Sequence, residues 1–233
     1  MTLKAILFDF NGVIINDEAI HQELINDILL GENLRPEESE YREICLGRSD
    51  RVCLKNILAH RGRFVTDEYL DKLVATKSVA YQEKLAQLET LPIYPGLSEF
   101  LAQIQQQGLM IGLVTGALKA EVQLVLQRAK LESYFSVIVA GDDINHSKPE
   151  PDSYLLAVQL INQNNPNLNL QPSECLAIED TYAGIEAAKK AGIQVVGIAN
   201  THPFHMLQRK ANWTVDYLSD IELDRVNQVC LSL

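Results

Sequence analysis

A chain of 233 residues, 47% hydrophobic and 22% charged, has the composition of a folded globular protein and the length to bury a sizeable core. Its formal net charge of −11, from 20 Lys and Arg against 31 Asp and Glu, repels a phosphate backbone, so nucleic acid is not an expected partner. The most apolar stretch, Leu109–Leu118, is broken by Gly112, Thr115 and Gly116 and falls short of the roughly 20 residues of a membrane span, so no membrane partner is expected either.

In chain order, Lys4-Ala-Ile-Leu-Phe-Asp9 is an apolar run that ends in a carboxylate before an Asn11-Gly12 turn, the pattern of a buried parallel strand. From roughly Asn16 to Leu91 strand-like runs vanish and helical spacing takes over, through Ile20, Leu24 and Ile28 and then Val52, Ile57 and Leu58. Ser49 is placed to cap one helix that Gly62 ends, and Thr66 opens a longer one running toward Leu88. Pro95-Gly96 opens the next helix and Gly108 closes it, ahead of the strand-like run Met110–Thr115. Further runs stand at Ser136–Gly141, Cys175–Asp180 and Gln194–Ile198, with a polar loop over Asn162–Asn169 and a helix from Gly184 to Gly192. This alternation predicts an α/β fold, a parallel sheet with helices on both faces, interrupted by an all-helical insertion. The expected domains are therefore a core of residues 1–15 and 92–233 and a helical insert of residues 16–91. Cys45, Cys53, Cys175 and Cys230 form no CxxC pair and read as small core hydrophobes, and Asp9 interrupts the N-terminal apolar run before a secretory segment forms. Both features point to a reducing, cytoplasmic setting.

In a parallel sheet, ligands bind beyond the carboxyl ends of the strands, and Asp9, Thr115 and Glu179-Asp180 all stand at such ends. A strand-end aspartate is a candidate nucleophile toward phosphorus, forming an acyl phosphate that water then hydrolyses. Phosphoryl transfer also needs its oxygens neutralised, and Lys148 in Ser147-Lys-Pro-Glu-Pro151, together with Thr115 and Gly116, supplies donors for that task. Paired carboxylates at Glu179 and Asp180 are awkward to bury without a cation, and Mg²⁺ matches their hard oxygen chemistry.

Taken together, Asp9-Phe-Asn-Gly-Val13, Thr115, Lys148-Pro-Glu-Pro151 and Glu179-Asp-Thr-Tyr-Ala-Gly184 resemble the four signatures of the haloacid dehalogenase-like hydrolases. With a helical cap inserted after the first signature, the resemblance is to the β-phosphoglucomutase-like phosphatase group. It implies a Rossmann-like core and a Mg²⁺-dependent phosphohydrolase of a small phosphorylated metabolite. It also implies Asp9 as nucleophile and metal ligand, Asn11 as a ligand through its backbone carbonyl, Asp180 as a ligand with Glu179 beside it, and Thr115 and Lys148 as phosphate holders. His21 matches a histidine at the cap entrance of many relatives, and Arg48 is the best candidate for a substrate contact from the cap.

One position departs from the pattern. Active phosphatases of this family resemble one another in carrying aspartate two residues after the nucleophile, where this chain has Asn11. An amide neither gives nor takes a proton near neutral pH, so general acid–base catalysis worth about 10² to 10⁴-fold is missing there. Three readings follow: a slow phosphatase that favours good leaving groups, such as acyl and aryl phosphates; a protein that binds a phosphorylated ligand or regulates without turnover; and, weakest, an altered chemistry such as dehalogenation or phosphonate cleavage, whose family relatives resemble one another in having Tyr or Ala, respectively, at the position of Asn11. A sugar-phosphate mutase is disfavoured, because the basic residues expected before and after Gly47 are replaced by Leu46 and Asp50. His202 and His205, divided by Pro203, are not read as a metal pair.

Overall fold

In the computed structural model, which describes residues 2–230, six strands form one parallel sheet in the order β3-β2-β1-β4-β5-β6. The strands are β1 (Ala5–Phe8), β2 (Met110–Val114), β3 (Val137–Val139), β4 (Cys175–Glu179), β5 (Gln194–Ile198) and β6 (Trp213–Val215). The central strands are apolar on both faces, as a sheet covered by helices on each side requires. Ile6 and Phe8 join one buried cluster with Phe100, Leu101, Val122 and Leu126, from the helices Leu97–Gln106 and Lys119–Ala129. Ala5 and Leu7 point the other way, into a cluster with Tyr154, Ile161, Ile185 and Ala188, from the helices Asp152–Asn164 and Tyr182–Lys190.

Between β1 and the helix Leu97–Gln106 the chain is helical: Glu18–Gly31, Asp50–His60 and Asp67–Ala86, with a single π-helical turn at Tyr41–Cys45. These helices share an apolar cluster of their own, with Ile25, Leu29, Leu54, Ile57, Leu58 and Leu70. The long helix also reaches the sheet side, where Tyr81 and Leu85 join the cluster of Ile6 and Phe8. The two chain crossings lie side by side, with the Asn16 amide donating to Pro92 O at 2.8 Å and the Tyr94 amide donating to Ile14 O at 3.1 Å.

Several expectations need correction. Cys45 and Cys53 are not free core residues but a disulfide, eight positions apart in the chain. The π-helical turn ends at Cys45, and the loop through Gly47 reverses the chain so that Cys45 meets the first turn of the helix Asp50–His60. The pairing removes the cysteine argument for a reducing compartment. Cys175 is free and buried, and the Cys230 side chain lies outside the described residues. The helix assigned to begin at Gly184 begins at Tyr182, because the Thr181 side chain accepts from the Gly184 amide and caps it. Asn162–Asn164 complete a helix and only then does the polar loop begin. The edge strand β6, three residues long, is too short to show alternation in the sequence. Among the described residues no helix is long and apolar enough to cross a membrane.

Candidate active site

The register of the sheet assembles the site. Phe8 is level with Leu113 on one side and Ile178 on the other, so Asp9, Thr115 and Glu179-Asp180 leave the same edge of three adjacent strands. The turn after Asp9 depends on Gly12, whose φ is +78°, where a Cβ would lie 1.8 Å from an Asp180 carboxylate oxygen. A side chain at residue 12 would therefore push apart the loops that carry Asp9 and Asp180.

At the centre is Lys148, 2% exposed. Its Nζ donates to Asp9 Oδ1 at 2.8 Å, to Glu179 Oε1 at 2.6 Å and to Val114 O at 3.0 Å, so all three ammonium hydrogens are used. Burial works against the charge, but the Asp9 and Glu179 carboxylates overcome it and hold the ammonium pKa above its ordinary value. Tyr154 O–H adds a bond to Glu179 Oε1 at 2.7 Å, and Thr181 O–H reaches Glu179 Oε2 at 3.3 Å. Glu179 is thus occupied in holding Lys148.

Asp180 is different. Oδ2 accepts from Thr201 O–H, whereas Oδ1 is buried and has no hydrogen-bond partner. Burial, with Asp9 and Glu179 nearby, pushes the Asp180 carboxyl well above the usual carboxylate range. The same burial, with the charge of Glu179 and against the pull of Lys148, raises Asp9 to about 7. Single oxygens of Asp9, Glu179 and Asp180 lie within 4.8 Å of one another. Crowded buried carboxylates with one orphaned oxygen form an acceptor set that a hard divalent cation satisfies, so these residues fit Mg²⁺.

Above this edge the helical insert closes a cavity lined by Asp9, Asn11, His21, Arg48, Thr115 and Lys148, with Gly116 beside them. The seven sequence candidates that are not Glu179 or Asp180 therefore meet in one place. Its volume of about 40 Å³ admits a few waters. Gly116 is where insert and sheet touch: a Cβ there would lie 2.9 Å from the Ser49 backbone nitrogen, which donates to Ser147 Oγ at 2.8 Å. Thr115 Oγ1 accepts from the Ala117 amide at 3.0 Å, which fixes its side chain at the strand end. Arg51, by contrast, lies outside the cavity and pairs on the surface with Asp67, at 2.9 Å, and with Asp71.

Beside the cavity is a buried polar network that the sequence reading did not foresee. Asn11 Nδ2 lies 3.1 and 3.0 Å from the two oxygens of Asp17 and 3.0 Å from His21 Nε2. Asp17 also accepts from Tyr81 O–H and faces His21 Nε2 at 3.3 Å. Burial opposes ionisation of Asp17, yet His21, Tyr81 and Asn11 outweigh it and hold the carboxyl below its ordinary value. His21 Nδ1 lies 2.5 Å from Lys77 Nζ, which also donates to Asp50 Oδ2 at 2.7 Å. One signal for Lys77 was present, because it shares a helix face with Leu70 and Tyr81, seven residues before and four after, and all three are buried. Tyr154 and Thr201 gave no such signal.

The family model described as haloacid dehalogenase-like hydrolase matches residues 6–198. Among curated proteins, the chain is similar to a phosphorylated carbohydrates phosphatase of Thermotoga maritima, 29% identical over 201 residues, covering 85% of this chain and 87% of that protein. It is similar to the beta-phosphoglucomutase of Bacillus subtilis, 29% identical over 228 residues, covering 97% of this chain and 95% of that protein. Among solved structures, a beta-phosphoglucomutase from Clostridium difficile superposes with a TM-score of 0.85 at 22% identity, covering 99% of this chain and 98% of that one, and shares the fold.

Proposed function

Because the chain belongs to the haloacid dehalogenase-like hydrolases, we propose that it is a Mg²⁺-dependent phosphohydrolase of a small phosphorylated metabolite, working through a phosphoryl group carried on Asp9. The relatives include phosphatases of phosphorylated carbohydrates and other metabolites, which supports a phosphate monoester as substrate. The observation that carries the reading is the meeting of Lys148, Asp9, Glu179 and Asp180 at one sheet edge, with Asp180 Oδ1 left without a hydrogen-bond partner.

In this reading Asp9, Asp180 and the backbone carbonyl of Asn11 hold Mg²⁺, with Glu179 beside them. When bound, the ion supplies positive charge opposite the phosphoryl oxygens. Thr115 and the neighbouring Gly116 orient the phosphoryl group, while Lys148 neutralises its charge and keeps Asp9 aimed. A carboxylate oxygen of Asp9 forms a bond to phosphorus as the bond to the leaving oxygen breaks, and water then cleaves the acyl phosphate to inorganic phosphate. The helical segment Asn16–Leu91 acts as a cap that excludes bulk water and brings Arg48 and His21 over the substrate. One specific observation favours a second reading: Asn11 stands where the family pattern has an acid, so a binding or regulatory protein with little turnover is the alternative.

The test is phosphate release from p-nitrophenyl phosphate with Mg²⁺ and with a chelator, combined with mass analysis of acid-quenched protein. Mg²⁺-dependent release with a phosphoryl group on the Asp9 peptide is expected, and both are absent in Asp9→Asn. No release from wild type, with phosphate still raising the unfolding midpoint, would favour the binding role.

A further inference from the structure

We infer that Asn11 and Asp17 are a matched amide–carboxylate pair, in which Asp17 is a positioning residue for Asn11 and commits the site to phosphates with weakly basic leaving groups. The inference rests on the phosphohydrolase reading above and deepens it.

Asp17 restricts what residue 11 can be. It is 1% exposed, and its two oxygens receive the Asn11 amide nitrogen at 3.1 and 3.0 Å as well as the Tyr81 hydroxyl. A carboxylate among such donors only accepts, so its neighbour at residue 11 must donate. An amide meets that demand. A second carboxylate in the same place would lie about 3 Å from Asp17 in a buried site, where the pair must share one proton. The acid missing at residue 11 is thus present six residues further along, facing the amide that replaced it. In Asn11→Asp the shared proton lies between residues 11 and 17, facing Asp17 and not a departing oxygen.

The same contact fixes which end of the amide faces the ligand. Turning Asn11 over would point its carbonyl oxygen at two carboxylate oxygens, so the two contacts with Asp17 select the orientation with Nδ2 toward that carboxylate. What remains for the cavity, which Asn11 lines, is the carbonyl Oδ1. That atom accepts from an attacking water but donates nothing to a departing oxygen. Leaving groups therefore depart without a proton from residue 11, which acyl and aryl phosphates tolerate and alkyl phosphates such as sugar phosphates do not.

The experiment compares wild type, Asn11→Asp, Asp17→Asn and the exchanged double variant, each with Mg²⁺, on acetyl phosphate, p-nitrophenyl phosphate and glucose 6-phosphate, together with unfolding midpoints. Wild type should show kcat/KM at least about 10²-fold higher on the two activated phosphates than on the sugar phosphate. Asn11→Asp alone should lower the midpoint by about 3 °C or more and stay at least about 10-fold below the double variant on the sugar phosphate. The double variant, with amide and carboxylate exchanged, should regain the midpoint and raise the sugar-phosphate rate by about 10²-fold. Equal gains in Asn11→Asp and the double variant, or strictly additive midpoints, would overturn the pairing. A wild type equally active on all three phosphates would overturn the leaving-group assignment and leave the phosphohydrolase reading standing. A wild type inert on both activated phosphates would sink that reading and the leaving-group assignment together, and the midpoints would still decide the pairing.

Discussion

Two buried polar clusters lie within reach of one cavity, and they are built on opposite principles. At the sheet edge, Lys148 uses all its hydrogens on Asp9, Glu179 and Val114, yet the carboxylates outnumber it and Asp180 Oδ1 goes without a partner. At the cap entrance, the Asp17 carboxylate meets Asn11, Tyr81 and His21, and Lys77 is matched by Asp50. The first cluster is left short of positive charge, whereas in the second the Asp17 and Lys77 side chains each find partners within the protein. A buried carboxylate oxygen without a donor costs stability that a bound cation restores, while a closed network gains nothing from one. On the proposed function, this difference leaves chemistry to the sheet edge and shape to the helical insert.

That contrast can be broken most severely at Asp9, the proposed nucleophile. Asp9→Asn should lower kcat on p-nitrophenyl phosphate by on the order of 10⁴-fold, with the far-ultraviolet circular dichroism spectrum unchanged. Next comes Lys148→Met, which leaves Asp9 and Glu179 buried without their counter-ion; urea unfolding should show a loss of about 3–5 kcal/mol. Asp180→Asn tests the missing charge directly. Wild type should gain about 2.7 kcal/mol of stability at a Mg²⁺ concentration one hundred times its Kd, and the variant should lose most of that gain in the same titration.

On the cap side the expected effects concern stability. Reducing the Cys45–Cys53 disulfide, or replacing Cys53 by Ser, opens a short loop that carries Arg48 over the cavity and should cost about 2–3 kcal/mol in denaturant unfolding. Arg51→Ala removes a solvent-exposed pairing with Asp67 and Asp71 and should change the unfolding free energy by less than about 1 kcal/mol. An effect of Arg51→Ala as large as that of Lys148→Met would erase the distinction between the two regions.

The sheet-edge residues were legible because each sits where a short apolar run meets a polar turn, a pattern that strand periodicity exposes. Asp9, Thr115 and Asp180 share this signature, and Lys148 follows from the prolines around it. The cap-side network was not legible. Asp17 and Tyr81 are 64 residues apart, and no spacing rule links them. Tyr154 looked like an ordinary apolar helix residue, although its hydroxyl holds Glu179. The cysteine reading failed because Cys45 and Cys53 are eight positions apart, and only the reversal after the π-helical turn brings them together.

By itself the amino-acid sequence determined the parallel sheet, the helical insertion and the line of functional groups at the strand ends, since local periodicity and turn chemistry act over a few residues. Only the tertiary structure decided that Glu179 grips Lys148, that Asp180 keeps an unsatisfied oxygen and that Asn11 answers to Asp17. Hydrogen bonds and charges act through distances in space, and those distances exist only once the chain has packed.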